Sequence, residues 1–198
     1  MSRQNYSLYA KHGNDSMRPS AGFNLVELMV VITVTGILLA IGIPSYKMMS
    51  ERAAIKLATN ELVDAFSYAS SQSMLSGPGQ DISIVFASNS PDQWCYGVSS
   101  QTSCDCTVSD PNNSVACTVE ASGSKQLKVT SSKDYNMQIA IDTAAFLANS
   151  ARFSSVRRLV QPGDITINSP SYSTRISLNA MGLAHACSDN GLGYLSCD

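Results

Sequence analysis

Hydrophobic and polar positions divide the chain into three stretches with different periods. Residues 25 to 43 run Leu-Val-Glu-Leu-Met-Val-Val-Ile-Thr-Val-Thr-Gly-Ile-Leu-Leu-Ala-Ile-Gly-Ile, apolar on every side and with one acid, Glu27. These 19 residues, at about 1.5 Å each, reach roughly 28 Å, the depth of a bilayer's hydrocarbon core. Beyond Pro44 the pattern becomes one-sided. Ile55, Ala58, Leu62, Ala65, Phe66 and Ala69 recur at steps of three and four, and Glu51, Arg52, Lys56, Glu61 and Asp64 fall on other faces. Ser76-Gly77-Pro78-Gly79 ends the pattern. The two stretches together predict one helix of about 50 residues and roughly 75 Å, its second half packed under a sheet and its first half protruding.

The third stretch has period two. In 81–88 (DISIVFAS), Ile82, Ile84 and Phe86 alternate with Ser83, Val85 and Ala87. Further strands are predicted at 126–130, 137–141, 151–156, 164–168 and 174–179, bounded by Gly, Pro, Asn and Ser, which fits an antiparallel sheet or small sandwich. Segment 89–124 is irregular. It holds the only Trp (Trp94) and four cysteines, and reads as an exposed insertion pinned by disulfides, with a short strand from Trp94 to Val98.

Charge changes the reading of the apolar run. No Lys or Arg occurs between Arg18 and Lys47, while Arg3, Lys11 and Arg18 precede the run against one acid, Asp15. That bias predicts a single span with its N-terminus cytoplasmic. A cleaved secretory signal has a shorter apolar core, although Ala40-Ile41-Gly42 could pass for its cut site. A plain anchor leaves Glu27 unexplained, and a buried core helix leaves the basic leader unexplained. A carboxylate within a span costs a few kcal/mol, so such groups usually have a partner and a task. Charged residues make up only 14% of the chain, against about 25% in average soluble proteins. Small neutral polar residues take their place, which suits an extracytoplasmic surface.

Six cysteines, Cys95, Cys104, Cys106, Cys117, Cys187 and Cys197, lie in the second half. An even count in an exported chain reads as disulfides. Metal ligation is the competing reading, but Cys104-Asp105-Cys106 lacks zinc-knuckle spacing and His12 and His185 lack ligand spacing. Cys187 and Cys197 close a short terminal loop and form the most readily assigned pair; the pairing of the other four stays open. Asp105 and Asp189-Asn190-Gly191 could offer oxygens to calcium but fall short of a ligand set. No nucleophile elbow, phosphate loop or metal motif is present, so neither an enzyme nor a cofactor is expected.

The stretch GFNLVELMVVITVTGILLAIGIPSY (22–46) resembles the N-terminus of type IV pilins and type II secretion pseudopilins. The resemblance implies cleavage by a prepilin peptidase between Gly22 and Phe23 and N-methylation of Phe23. It makes Glu27 the family's fifth-position acid and Pro44 the proline that interrupts the helix. Asn24 stands where Thr or Ser is commoner. On this reading Glu27 pairs with the Phe23 amine of an adjacent subunit and sets register, although it could also reach its own amine one turn away. Pro44, with Gly36 and Gly42, lets the rod bend or melt locally, or simply kinks it where the span meets the globular domain.

ARFSSVRRLVQPGDITINSPSYSTRISLNAMGLAHACSDNGLGYLSC (151–197) is similar to the C-terminal half of the GspH/FimT family of minor pilins. The match lies in a Phe-centred strand, a Gly-Asp-Ile-Thr-Ile strand, and a last strand ending in Asn-Ala-Met-Gly before Cys187 and Cys197. The expected fold is α+β and type IV pilin-like: a long N-terminal transmembrane and spine helix packed against a disulfide-containing antiparallel β-sheet domain. The expected divisions are a leader peptide (1–22), a helix (23–75; 23–45 transmembrane, 46–75 amphipathic) and a β-rich domain (76–198) with the disulfide-rich insertion 89–124.

The partners implied are other minor pilins, the major pilin, the prepilin peptidase and the inner membrane, with the assembled form at the cell surface. A GspH-like pseudopilin of type II secretion shares all these features. Some family members bind DNA through arginines just before the first C-terminal Cys, but here that region reads Ala180-Met181-Gly182-Leu183-Ala184-His185. Without the leader, 10 Lys+Arg face 14 Asp+Glu. DNA affinity is mostly phosphate neutralisation, so this balance argues against DNA as a partner unless Arg152, Arg157, Arg158 and Arg175 cluster.

Overall fold

The structure, a computed structural model, describes residues 22, 24–90, 93–121, 123–135, 137–143, 146 and 149–197. It divides into two compact units between Ile43 and Pro44. One helix, α1 (Leu25–Leu75), contributes to both. Asn24 starts it: its backbone carbonyl accepts from the amides of Glu27 and Leu28, and its side-chain Oδ1 accepts from Val26 at 3.3 Å. Asn is among the best residues for this position because it satisfies an otherwise orphaned amide. The helix runs through Pro44, which removes one backbone bond without ending it. The expected interruption at Pro44 is therefore not a break in helical conformation, though the boundary between the units falls beside it.

In the second unit, α1 buries a stripe of Ile55, Ala58, Thr59, Leu62, Phe66, Ala69 and Ser73. The strands are β1 (Ile82–Ser90), β2 (Gln93–Ser99), β3 (Thr118–Ala121), β4 (Ser124–Leu127), β5 (Val129–Ser131), β6 (Ala140–Asp142), β7 (Ser150–Phe153), β8 (Gly163–Asn168), β9 (Ser173–Leu178) and β10 (Ala184–Cys187). They form a four-stranded sheet of order β5-β2-β1-β7, a second of order β10-β9-β8-β6, and a β3-β4 ribbon. All their named pairings are antiparallel.

The core joins both sheets to α1. Phe66 of the helix lies 6.3–6.5 Å, ring to ring, from Phe86, Phe146 and Phe153. A buried phenyl ring at such a site typically contributes about 3–5 kcal/mol. The Thr59 hydroxyl, buried with it, is bonded to the Thr174 hydroxyl of β9 at 2.8 Å and donates to the Ile55 carbonyl at 2.7 Å. A buried hydroxyl is tolerated because its bonds are made.

Several elements differ from the sequence expectation. The short strand expected at Trp94–Val98 within segment 89–124 is present as β2, but it is sheet-interior rather than part of an exposed insertion, with Trp94, Tyr96 and Val98 all buried in the main core. Trp94 stacks on Tyr96 and donates its indole N–H to the Ile139 carbonyl at 2.6 Å. The expected strand at 126–130 is split at Lys128 between β4 and β5, and β3 and β10 have no counterpart among the expected strands.

Candidate assembly site

In the N-terminal unit every described side chain from Leu25 to Ile43 is exposed. Among the described residues, α1 is the one helix whose length and apolar composition suffice to cross a membrane. The two threonine hydroxyls of its apolar stretch are satisfied within the helix. The Thr33 hydroxyl donates to the Val30 carbonyl and the Thr35 hydroxyl to the Val31 carbonyl, each at 2.8 Å. This is how hydroxyls persist where no water can reach them. Glu27 sits in the first turn, three residues after the capping Asn24, where the helix dipole favours a negative charge. No hydrogen bond or ion pair of its carboxylate is found among the described residues. Gly22 is exposed. Phe23 lies outside the described residues, as does the leader before Gly22, so the expected cleavage junction and amine fall there too.

In the second unit, the segment just after Pro44 is held by distant parts of the chain. Glu51, expected on an outer face, is only 7% exposed. It accepts from the Ser171 amide at 2.6 Å and the Ser171 hydroxyl at 3.1 Å. Burial alone would raise its pKa, but the Ser171 amide and the Ser169 and Ser171 hydroxyls outweigh it and hold the carboxyl below its ordinary value. The next residue, Arg52, donates to the Gly191 carbonyl at 2.7 Å, and Tyr194 donates to Asn60 Oδ1 at 2.8 Å. Gly191 and Tyr194 lie in the loop closed by the Cys187–Cys197 disulfide, whose Leu192 is fully buried.

A depressed carboxylate pKa contributes stability that is fully present above the unfolded value and lost as pH falls through the folded one. Glu51→Gln is therefore expected to lower the melting temperature of the detergent-solubilised protein at pH 7. It should also flatten the loss of stability below about pH 4.5, the ordinary glutamate value. Melting curves from pH 7 to pH 3 read both effects, and curves parallel to wild type would remove Glu51 from the account.

The other four cysteines form overlapping disulfides, Cys95–Cys106 and Cys104–Cys117. They fold the loop after β2 back over the strand face opposite Trp94 and Tyr96, making a small second core of Cys95, Cys106 and Cys117. Gly97 makes this possible, because a Cβ there would lie 2.4 Å from Cys117 Cβ and Sγ. On the other face, burial pushes the Tyr96 phenol up to about 12. The Tyr135 hydroxyl donates to Glu61, and burial, followed by that bond, raises its pKa too.

The arginines considered for nucleic acid lie on different elements. Arg152 Nε pairs with Asp81 at 3.0 Å. Arg157 and Arg158 lie exposed in the loop after β7, and Arg175 lies on β9, in the other sheet. Asp81 is held below its ordinary value chiefly by the Ser155 amide, with the Ser155 hydroxyl and Arg152 adding to it against burial. The oxygens considered for calcium have local partners: Asp105 accepts from the Thr107 amide and hydroxyl, and Asp189 from the Cys197 amide. Sequence reading missed the Glu51 latch and the Gly97 contact. The Gly between Tyr96 and Val98 in a strand was the available signal for the second, since strand glycines often mark a close approach.

Two family models match. Residues 17–43 match the prokaryotic N-terminal methylation motif, and residues 58–182 match the type II transport protein GspH. Two fimbrial proteins of Pseudomonas aeruginosa are 32% and 31% identical over 124 residues, which is 62% of this chain and 68% of each relative. No solved structure gives a significant match. The family is one of structural pilins rather than enzymes, and its signature with an apolar N-terminal helix points to membrane anchoring and to association with other pilins. A methylation motif opening a long exposed apolar helix, followed by a helix-and-sheet domain over which the GspH model matches, places this chain in the GspH family of type IV pilin-like proteins.

Proposed function

We propose that the chain is a minor pilin of a type IV pilus, a structural subunit of the tip or initiation complex. The observation that carries the choice of system is the similarity to the two fimbrial proteins. The prepilin, N-terminus cytoplasmic, is cut after Gly22 and methylated on Phe23. Its globular domain stands in the periplasm until assembly carries it to the cell surface. Glu27 meets the Phe23 amine of a neighbouring subunit in the membrane. A buried charge without a partner costs several kcal/mol and pairing relieves it, so the pair selects one axial register. Its companions in the filament are other minor pilins and the major pilin.

A second reading, a pseudopilin of type II secretion, is favoured by the description of the matching family model. Deleting the gene separates the two. A pilus subunit predicts loss of surface pili and twitching with exoprotein secretion intact. Lost secretion with normal piliation would assign the chain to the second system.

A further inference from the structure

The loop closed by Cys187 and Cys197 contains the only Asn-Gly step in the sequence, Asn190-Gly191. Ser188 and Leu192 on either side are buried, whereas Asp189, Asn190 and Gly191 are exposed. Gly191 has a φ of 66°, a conformation that favours glycine. The two residues are held at their outer ends. The Asn190 amide donates to the Ser188 hydroxyl at 3.3 Å, and the Gly191 carbonyl accepts from Arg52 at 2.7 Å. Between those ends, neither the Asn190 side chain nor the Gly191 amide has a hydrogen-bond partner among the described residues. Asp189, next to them, is occupied with the Cys197 amide.

An asparagine side chain is an electrophile, and the backbone nitrogen that follows it is a nucleophile placed to close a five-membered ring. Attack of the Gly191 nitrogen on Cγ of Asn190 forms a cyclic imide. The nitrogen gives its proton to solvent, the bond from Cγ to Nδ2 breaks, and Nδ2 leaves as ammonia. Water then opens the ring at one of its two carbonyls. Opening at the side-chain carbonyl leaves an aspartate on a normal backbone. Opening at the main-chain carbonyl leaves isoaspartate, whose backbone runs through Cβ and Cγ. Water is the only co-reactant, and nothing is oxidised or reduced. Asparagine is thermolabile, and glycine after it removes the side chain that would otherwise shield the attacking nitrogen.

We propose that Asn190 is a site of spontaneous modification in the folded protein, converted through an imide with Gly191 into aspartate and isoaspartate. Its position gives the step a consequence. Arg52 of α1 grips the Gly191 carbonyl, and the following residue, Leu192, is fully buried. Isoaspartate inserts one more backbone carbon just before these two anchors, in a loop whose ends are fixed by the disulfide. The anchors cannot all keep their places, so the loop loosens from α1. The aspartate product keeps the backbone length and puts a carboxylate next to the residue that Arg52 grips. Lys56 is also near, its Nζ 3.6 Å from where a Cβ on Gly193 would stand, so this product leaves the loop seated. The inference does not depend on the reading of the chain as a pilus subunit.

The test uses the full-length oxidised chain in detergent, aged at mildly alkaline pH in water enriched in heavy oxygen, then digested and mapped by mass. Uptake of one heavy oxygen at residue 190, in aspartate and isoaspartate forms, is the expected result. An isoaspartyl methyltransferase should label the aged chain, and that label should vanish in Asn190→Gln, whose longer side chain closes a ring far more slowly. Melting curves read the consequence. Aged wild type should gain a lower transition whose share follows the isoaspartate fraction and which lies near the melting temperature of Arg52→Ala. Aged Asn190→Gln should gain none, and freshly made Asn190→Asp should melt with wild type. Asn190 left intact in the folded chain, heavy oxygen mainly at another asparagine, or methyltransferase label persisting in Asn190→Gln would each overturn the proposed site. An isoaspartate-rich sample melting with wild type would overturn the loosening of the loop.

Discussion

Glu27→Val is expected to insert in the membrane at wild-type levels and to be nearly absent from sheared filaments. On the proposed pairing, the substitution removes the carboxylate but leaves the cleaved Phe23 amine of the neighbour without its partner in lipid. A charge so placed costs about 2.5–3.5 kcal/mol on insertion scales, which corresponds to roughly a hundredfold loss in an equilibrium. Glu27→Gln should behave like Val, because it keeps size and polarity but not charge, and Glu27→Asp should retain part of the function. Immunoblots of membrane and sheared-filament fractions give the comparison. Normal incorporation of the Val or Gln variant would leave Glu27 only its local place in the first turn of α1.

The second large effect is expected from Gly97→Ala. The added methyl would stand 2.4 Å from Cys117 Cβ and Sγ, far inside van der Waals contact. Cys117 cannot swing away: its sulfur is bonded to Cys104, and its carbonyl accepts from the Lys128 amide at 3.2 Å. Overpacking of this kind costs typically about 1–3 kcal/mol. Where the clash is relieved by leaving the disulfide open, about 3 kcal/mol more is lost for a loop of this size. Free-thiol alkylation with mass analysis should reveal chains lacking Cys104–Cys117, and the oxidised remainder should melt well below wild type. A fully oxidised variant with an unchanged melting temperature would refute the close approach.

The long-period features of the chain were legible in advance and the long-range contacts were not. Ile55, Ala58, Leu62, Phe66 and Ala69 repeat with the helix and all are buried; period two in 81–88 and 164–168 likewise corresponds to β1 and β8. Glu51 was misplaced because periodicity treats a carboxylate as an outward residue, whereas its partner is the Ser171 amide, 120 residues away. β10 was missed because Ala184-His185-Ala186 has no bulky apolar alternation; its place depends on pairing with β9. Trp94 was read with the turn formers and cysteines around it, yet its neighbours in space are Tyr96 and Tyr135. At the candidate site, the roles proposed for Gly22, Glu27 and Pro44 come from family resemblance, which supplies a role that spacing alone does not.

The crossed cystines make a demand on the cell that manufactures the protein. Swapping partners, so that Cys95 joins Cys104 and Cys106 joins Cys117, closes loops only two residues shorter than the native ones. Chain entropy varies with the logarithm of loop length, so it separates the two isomers by no more than a few tenths of a kcal/mol. The preference must come from the folded sheet, and where oxidation precedes folding both isomers are expected. Maturation therefore calls for thiol–disulfide reshuffling as well as an oxidant, and a host without an isomerase activity should accumulate scrambled subunits.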